Sequence, residues 1–306
     1  MKRRGFINTI AATTSLAVFP KTQYIGDLFE NKFNLNYAPH FGMFQNMAGE
    51  DLIDQLNFIA DNGFKAFEDN GMKNRSISMQ KKIGSTLYKR SMSMGVFVAH
   101  KIYWNEPNLA SGNKNKREEF LKHITESVDV AKRVNAKWMT VVPGHKDLRL
   151  NLSYQESNVI DTLKFACDIL EKHNLVMVLE PLNFRDHPGL FLTESPQAYR
   201  ICKAVNSKSC KILFDIYHQQ IQEGNLIPNI EKCWSEIEYF QIGDNPGRKE
   251  PTTGEINYKN LFKYIYEKGY KGILGMEHGN SISGIRGEKK LITSYQEVDN
   301  FNLQLL

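Results

Sequence analysis

Glu180, Asp215, Gln241 and Glu277 each stand at the end of a short apolar run, in the strings Leu179-Glu180, Phe214-Asp215, Phe240-Gln241 and Met276-Glu277. A charged side chain closing a buried run needs a partner, because burying it unpaired costs several kcal/mol. A nearby Lys or Arg explains one such carboxylate easily. It explains the whole succession poorly. Oxygen-only ligands suit a hard divalent cation, so the set points to Mg²⁺ or Mn²⁺. Four protein oxygens leave two octahedral positions for a substrate carbonyl and its neighbouring hydroxyl, where a cation polarises the carbonyl and stabilises an enediolate. Two of the glutamates on opposite sides of such a substrate could move a proton between adjacent carbons, which is isomerase chemistry.

Other residues fall within reach of the same place. His218 follows Asp215 by three residues, and either Arg185 or Arg248 could clamp a substrate carboxylate or hydroxyl bidentately. Each has a plainer reading, as a surface histidine or a loop salt bridge. Glu68 and His100 end two earlier apolar runs and join the candidates for substrate contact. His40, His145, His187 and His278 form a second line, whereas His173 ends a helical stretch and reads as a favourable C-terminal charge.

The elements that must position these residues alternate. Apolar runs at 33–41, 64–68, 95–100, 138–143, 176–182, 211–217, 237–242 and 272–277 make eight candidate strands, most dense in Val, Ile, Leu or Phe. That density is expected of parallel strands covered by helices. Between them, 51–62, 118–135, 154–173 and 258–268 carry helical periodicity, two of them stopped by Gly63 and Gly269. Strand starts recur at intervals of roughly 27 to 42 residues, the spacing of βα units. Eight units predict an α/β fold, a single (β/α)8 TIM barrel over 32–306, whose active site forms at the C-terminal strand ends. No G-x-G-x-x-G follows the first strand, which argues against a dinucleotide fold.

Composition narrows the function. Of 306 residues, 41% are hydrophobic and 24% charged, with a net charge of +5 spread along the chain rather than in a basic block, so no nucleic-acid partner is expected. Cys167, Cys202, Cys210 and Cys233 form no C-x-x-C pair and read as core residues. The start differs from the rest. Lys2-Arg3-Arg4-Gly5-Phe6, then an apolar small-residue segment over 10–19, has the shape of a secretory signal and resembles a twin-arginine leader. It is too short to span a membrane, which takes about twenty apolar residues. Export to the periplasm is expected, with 1–31 as signal and linker; an amphipathic helix of a cytoplasmic protein is the alternative.

The strings Leu179-Glu180-Pro181-Leu182-Asn183, Phe214-Asp215-Ile216-Tyr217-His218 and Gln241-Ile242-Gly243-Asp244-Asn245-Pro246-Gly247-Arg248 resemble the hydroxypyruvate isomerase family of xylose-isomerase-like TIM barrels. Gly254-Glu255-Ile256-Asn257-Tyr258 extends the resemblance, which covers essentially all of the chain beyond the leader. It implies that Glu180, Asp215, Gln241 and Glu277 hold the metal and that Glu180 and Glu277 are the acid/base pair. His218 and Arg248 would contact substrate, a small hydroxy-carbonyl compound such as hydroxypyruvate or a short ketose. Homo-oligomers are common among such barrels. The pattern departs from the family at Tyr239, where a histidine is usual, and at His278, where a tyrosine is expected. A ketose epimerase, a dehydratase, a multi-zinc nuclease and an exported sugar-binding barrel are the competing readings. A nuclease would need a histidine-rich site and a basic groove.

Overall fold

The expected strands form, in order and parallel, in a computed structural model that describes residues 33–301. The expected leader, 1–31, lies outside the described residues. The strands are β1 (Tyr37–Ala38), β2 (Ala66–Phe67), β3 (Ser93–Met94), β4 (Trp138–Val141), β5 (Val176–Leu179), β6 (Cys210–Asp215), β7 (Ile237–Gln241) and β8 (Leu274–Gly275). Six of them pair in the order β1-β8-β7-β6-β5-β4, and β2 pairs with β3. Backbone bonds join the two sheets. Glu68 N–H donates to Pro39 O at 3.0 Å, Thr140 N–H to Phe97 O at 2.9 Å, and Ala99 N–H to Thr140 O at 3.1 Å. The result is the expected TIM barrel.

Helices wrap the outside: α1 (Gln45–Ala48) and α2 (Leu52–Asp61) before β2, α3 (Ile77–Lys89) before β3, and α4 (Lys114–Val134) before β4. Then come α5 (Leu152–Leu170), α6 (Ser195–Val205), α7 (Ile216–Gln222), α8 (Leu226–Cys233), α9 (Tyr258–Glu267) and α10 (Gly284–Asp299). Their ends follow local chemistry. The Asp51 carboxylate caps α2 by accepting from Ile53 N–H at 2.7 Å and Asp54 N–H at 3.2 Å. Asn135, Asn174 and Asn206 take left-handed conformations, with φ of 53°, 53° and 54°, where the chain leaves a helix for β4, β5 and β6. Asparagine tolerates that region better than other side chains with a Cβ.

Two apolar layers result. Inside the barrel, Ala38, Ala66, Val96, Val176, Val178, Leu213, Tyr239 and Ile273 pack together with Trp138, so every strand region contributes to the plug. Outside it, residues such as Phe67, Met139, Leu179, Phe214 and Leu274 pack with apolar helix residues including Leu56, Ile124, Leu163 and Phe262. The four cysteines are buried and free, as expected of core residues. No helix among the described residues is long and apolar enough to cross a membrane.

The ladders are shorter than the apolar runs. Glu68, Glu180 and Glu277 lie just past the last paired residues of β2, β5 and β8. Residues 216–217, expected as strand, start α7 instead, because the Asp215 carboxylate caps that helix, accepting from His218 N–H at 3.1 Å.

Candidate active site

The ends of β5 to β8 bring Glu180, Asp215, Gln241 and Glu277 to one mouth of the barrel. Asp215 and Gln241 are paired partners on neighbouring strands, as are Gln241 and Gly275, two residues before Glu277. Glu180 accepts no hydrogen bond and no ion pair among the described residues, although it is buried. Burial pushes its carboxyl well above the usual range, and the charges of Glu277 and Asp215 push the same way. Glu277 is tied down instead, receiving Asn70 Nδ2–H at 2.8 Å and an Arg248 Nη2–H at 2.9 Å. Burial still raises it to about 7, against the opposing pull of Arg248.

Arg248 joins two of the acids. Its Nη2 lies 3.0 Å from Asp215 Oδ2 and 2.9 Å from Glu277 Oε2, while Nε–H donates to the Glu277 carbonyl at 3.1 Å. Its guanidinium also stacks over the Tyr217 ring, 4.9 Å from the centroid, a favourable cation–π distance. The backbone here has φ of +50°, a region costing an L-residue about 1–2 kcal/mol. The loop enforces it. Buried Asp244 accepts from the backbone N–H groups of Asn245, Thr253, Gly254 and Ile256 at 2.8–3.1 Å, and Arg248 N–H donates to Asp244 O at 2.9 Å. Gly254 is required, since a Cβ there would sit 2.2 Å from Asn245 O.

His218 faces the acids with a definable tautomer. The Asn183 Oδ1 accepts from Arg185 N–H at 3.0 Å and Asp186 N–H at 2.9 Å, which fixes the amide orientation. Its Nδ2 therefore faces His218 Nδ1, at 2.7 Å, and donates to Asp186 at 3.0 Å. Nδ1 must accept, so the proton sits on Nε2, which lies 3.7 Å from Asp215 Oδ2. Burial lowers the imidazole to about 4, keeping it neutral. Glu180, Asp215 and His218 each bring a possible ligand atom within 4.8 Å of one another. With Nε2 protonated, the histidine is a hydrogen-bond donor to that place rather than a ligand. Asn183→Asp replaces the donating amide by an acceptor and forces the proton onto Nδ1. Turnover is expected to fall roughly 10–100-fold with little change in melting temperature, by analogy with the loss of other ligand-orienting partners. Unchanged kinetics would contradict the tautomer assignment.

Three of the expected substrate contacts stand elsewhere. Glu68 is buried behind the mouth, with both carboxylate oxygens committed to Tyr239 and Gln241. His100 is held by backbone on both sides, Nδ1 bonding Lys101 O at 2.9 Å and Nε2 accepting Val142 N–H at 3.3 Å. Arg185 is exposed and lies over the Phe184 ring. Of the second-line histidines, His187 touches the site, its ring 5.4 Å from that of His218 and stacked on Trp104 at 5.1 Å. His278 bonds Tyr295 at 2.7 Å. Sequence reasoning misses Asn70 and Asn183. Asn183 closes the Leu179–Asn183 string, and an Asn followed two and three residues later by free backbone N–H groups is the signal of an Asx turn.

Comparison with known proteins agrees with this fold. The family model described as "Xylose isomerase-like TIM barrel" matches residues 56–295. Hydroxypyruvate isomerase of Escherichia coli is 33% identical over 53% of this chain and 63% of its own length. The 2-oxo-tetronate isomerase of Cupriavidus necator is 36% identical over 39% of this chain and 46% of its own. The chain thus spans about half to two-thirds of these relatives. Among solved structures, a family 2 AP endonuclease of Brucella melitensis superposes with a TM-score of 0.73 at 24% identity, covering 83% of this chain and 96% of that one, which shows the fold alone. The chain belongs to the xylose isomerase-like TIM-barrel family, among relatives that include hydroxypyruvate isomerase.

Proposed function

We propose that this chain is a divalent-metal-dependent isomerase of a short 2-oxo acid carrying a hydroxyl on the next carbon, with hydroxypyruvate converted to tartronate semialdehyde as the leading reaction. The observation that carries it is the donor set. Three carboxylates meet a buried amide oxygen, Gln241 Oε1, that has no hydrogen-bond partner among the described residues. A hard cation is the partner such a set fits, with Glu180, Asp215, Gln241 and Glu277 as its ligands. When bound, it would supply Lewis acidity to the substrate carbonyl.

The chain's own groups account for the proton movement. One glutamate of the Glu180–Glu277 pair takes a proton from C3, the carbon bearing the hydroxyl. The electron pair forms the C2–C3 double bond of an enediol as the C2 oxygen takes a proton. The glutamate pair returns a proton to C2, and the C3 hydroxyl gives up its proton to leave the C3 aldehyde, so that on balance the C3 hydroxyl proton has passed to the C2 oxygen. Burial raises both carboxyls, which makes each carboxylate a stronger base than a free one and suits the pair to take up and return a carbon-bound proton. His218 Nε2–H and Arg248 supply donors for the substrate hydroxyl and carboxylate. The names of the two isomerase relatives support the substrate class, because hydroxypyruvate and 2-oxo-tetronate are both 2-oxo acids.

Incubating metal-loaded protein with hydroxypyruvate tests the reading. Tartronate semialdehyde is expected to accumulate, to stop on chelation, and to resume on adding Mn²⁺ or Mg²⁺. Conversion that is indifferent to chelation would contradict the metal-dependent reading.

A further inference from the structure

Gln241 can present its carbonyl oxygen to a cation only if its amide is held one way round. An amide has two nearly isosteric ends, and the wrong one would aim N–H donors at the cation. The group that decides this is Glu68, at the end of β2. Its Oε1 accepts from Gln241 Nε2–H at 2.9 Å, and its Oε2 accepts from Tyr239 O–H at 2.7 Å. The tyrosine oxygen takes a hydrogen bond from Val96 N–H at 3.4 Å, which directs its own proton to Glu68. The chain of donors thus runs from the β3 backbone through Tyr239 to a carboxylate, and from Gln241 to the same carboxylate. At the far end Gln241 Oε1 is left buried with no hydrogen-bond partner among the described residues.

The barrel is shaped around this carboxylate. A Cβ at Gly275 would lie 1.9 Å from Glu68 Oε2, so the carboxylate fills the space that any side chain on β8 would need. A Cβ at Gly95 would lie 2.3 Å from the Tyr239 hydroxyl, so a second missing side chain makes room for the other member. Glu68, Tyr239 and Gln241 are each 2% exposed or less. At that depth a misplaced donor finds no water to compensate it.

We propose that Glu68 is a positioning residue of the metal site, and that its hydrogen bond to Gln241 Nε2 sets which end of that amide the cation meets. The proposal rests on the metal-dependent reading and adds to it a residue that touches neither cation nor substrate. Burial and the nearby Glu277 charge raise Glu68 to about 8, while the Tyr239 and Gln241 donors favour its ionised form. Against that form a flipped amide would set oxygen against oxygen and lose the bond, so the orientation is enforced from behind.

Calorimetric titration of the full chain with Mn²⁺ tests this without reference to turnover. Three proteins are compared: wild type, E68Q and the exchanged pair E68Q/Q241E. E68Q introduces an N–H₂ that the Gln241 oxygen can take, so Mn²⁺ affinity is expected to fall about 10–100-fold. In the exchanged pair the amide at position 68 donates to the new carboxylate at 241, which turns its free oxygen to the cation. Its affinity is expected to return to within about tenfold of wild type, the range spanned by a single lost orienting partner. Wild-type affinity in E68Q overturns the proposal, and so does a folded exchanged pair no tighter than E68Q. If E68Q fails to fold, the exchanged pair decides alone: strong binding supports the role, and a folded but non-binding pair removes it. Failure of wild type to bind Mn²⁺ would overturn the metal reading and the role of Glu68 with it. Wild-type binding with an indifferent E68Q overturns only the role.

Discussion

Glu180→Gln is expected to lower kcat by about 10²–10⁴-fold at saturating metal, the contribution of a positioned acid or base. Glutamine keeps the shape of the side chain but cannot carry a proton between carbons. Glu180 is the sharper of the two tests, because among the described residues its carboxylate holds no hydrogen bond that the substitution would break. Glu277→Gln should lose activity in the same range, with an added structural cost, since Asn70 and Arg248 both donate to its carboxylate. Both variants weaken the metal set, so kcat must be read across a Mn²⁺ titration until it no longer rises, beside a thermal melt to confirm the fold. Near-wild-type kcat in either variant at saturating metal would show that the pair does not move the proton.

Metal affinity is expected to fall steeply as pH drops, by a factor on the order of 10²–10³ between pH 8 and pH 6. The sign follows from the carboxyls. Burial, reinforced by neighbouring negative charge, raises Glu180 well above the ordinary range and, despite Arg248, raises Glu277 to about 7. Without metal these groups hold protons at pH values where free carboxylates do not. A cation binds only the ionised forms, so binding must expel the protons, and lower pH makes that harder. Each proton displaced adds up to about tenfold per pH unit. Calorimetry at pH 6, 7 and 8 in two buffers of different ionisation enthalpy measures both the affinity and the protons released. Affinity flat across that range, with no proton release, would mean that the acids are already ionised and that burial does not raise them.

The four proposed ligands are legible in the sequence for a physical reason. An acid or amide that closes a run of Val, Leu, Ile or Phe on a covered parallel strand falls at a C-terminal strand end, the end at which a barrel keeps its mouth. Strand length is less legible. Apolarity continues past the last ladder bond, so 216–217 read as strand although the Asp215 carboxylate turns them into α7. Side-chain direction at a strand end is not legible at all. Glu68 and His100 occupy strand ends like the proposed ligands, yet one turns back to meet Gln241 and the other is held by Lys101 O and Val142 N–H. Arg185 lies in the right loop, but Asn183 folds that loop so that the guanidinium rests on Phe184 in solvent. Tyr239, a departure from the family pattern, proves to have a partner of its own in Glu68.

Exchange of carbon-bound hydrogen is the most direct test of the central claim. Metal-loaded protein in heavy water would be followed by proton NMR with hydroxypyruvate and a panel of short ketoses. Deuterium entering at the carbon beside the carbonyl of hydroxypyruvate, together with the appearance of tartronate semialdehyde, is the predicted result. Bound metal with no exchange in any compound would contradict enediol chemistry and leave a dehydratase or a sugar-binding barrel as the better reading. Exchange confined to a ketose would keep the proton transfer and reject the substrate.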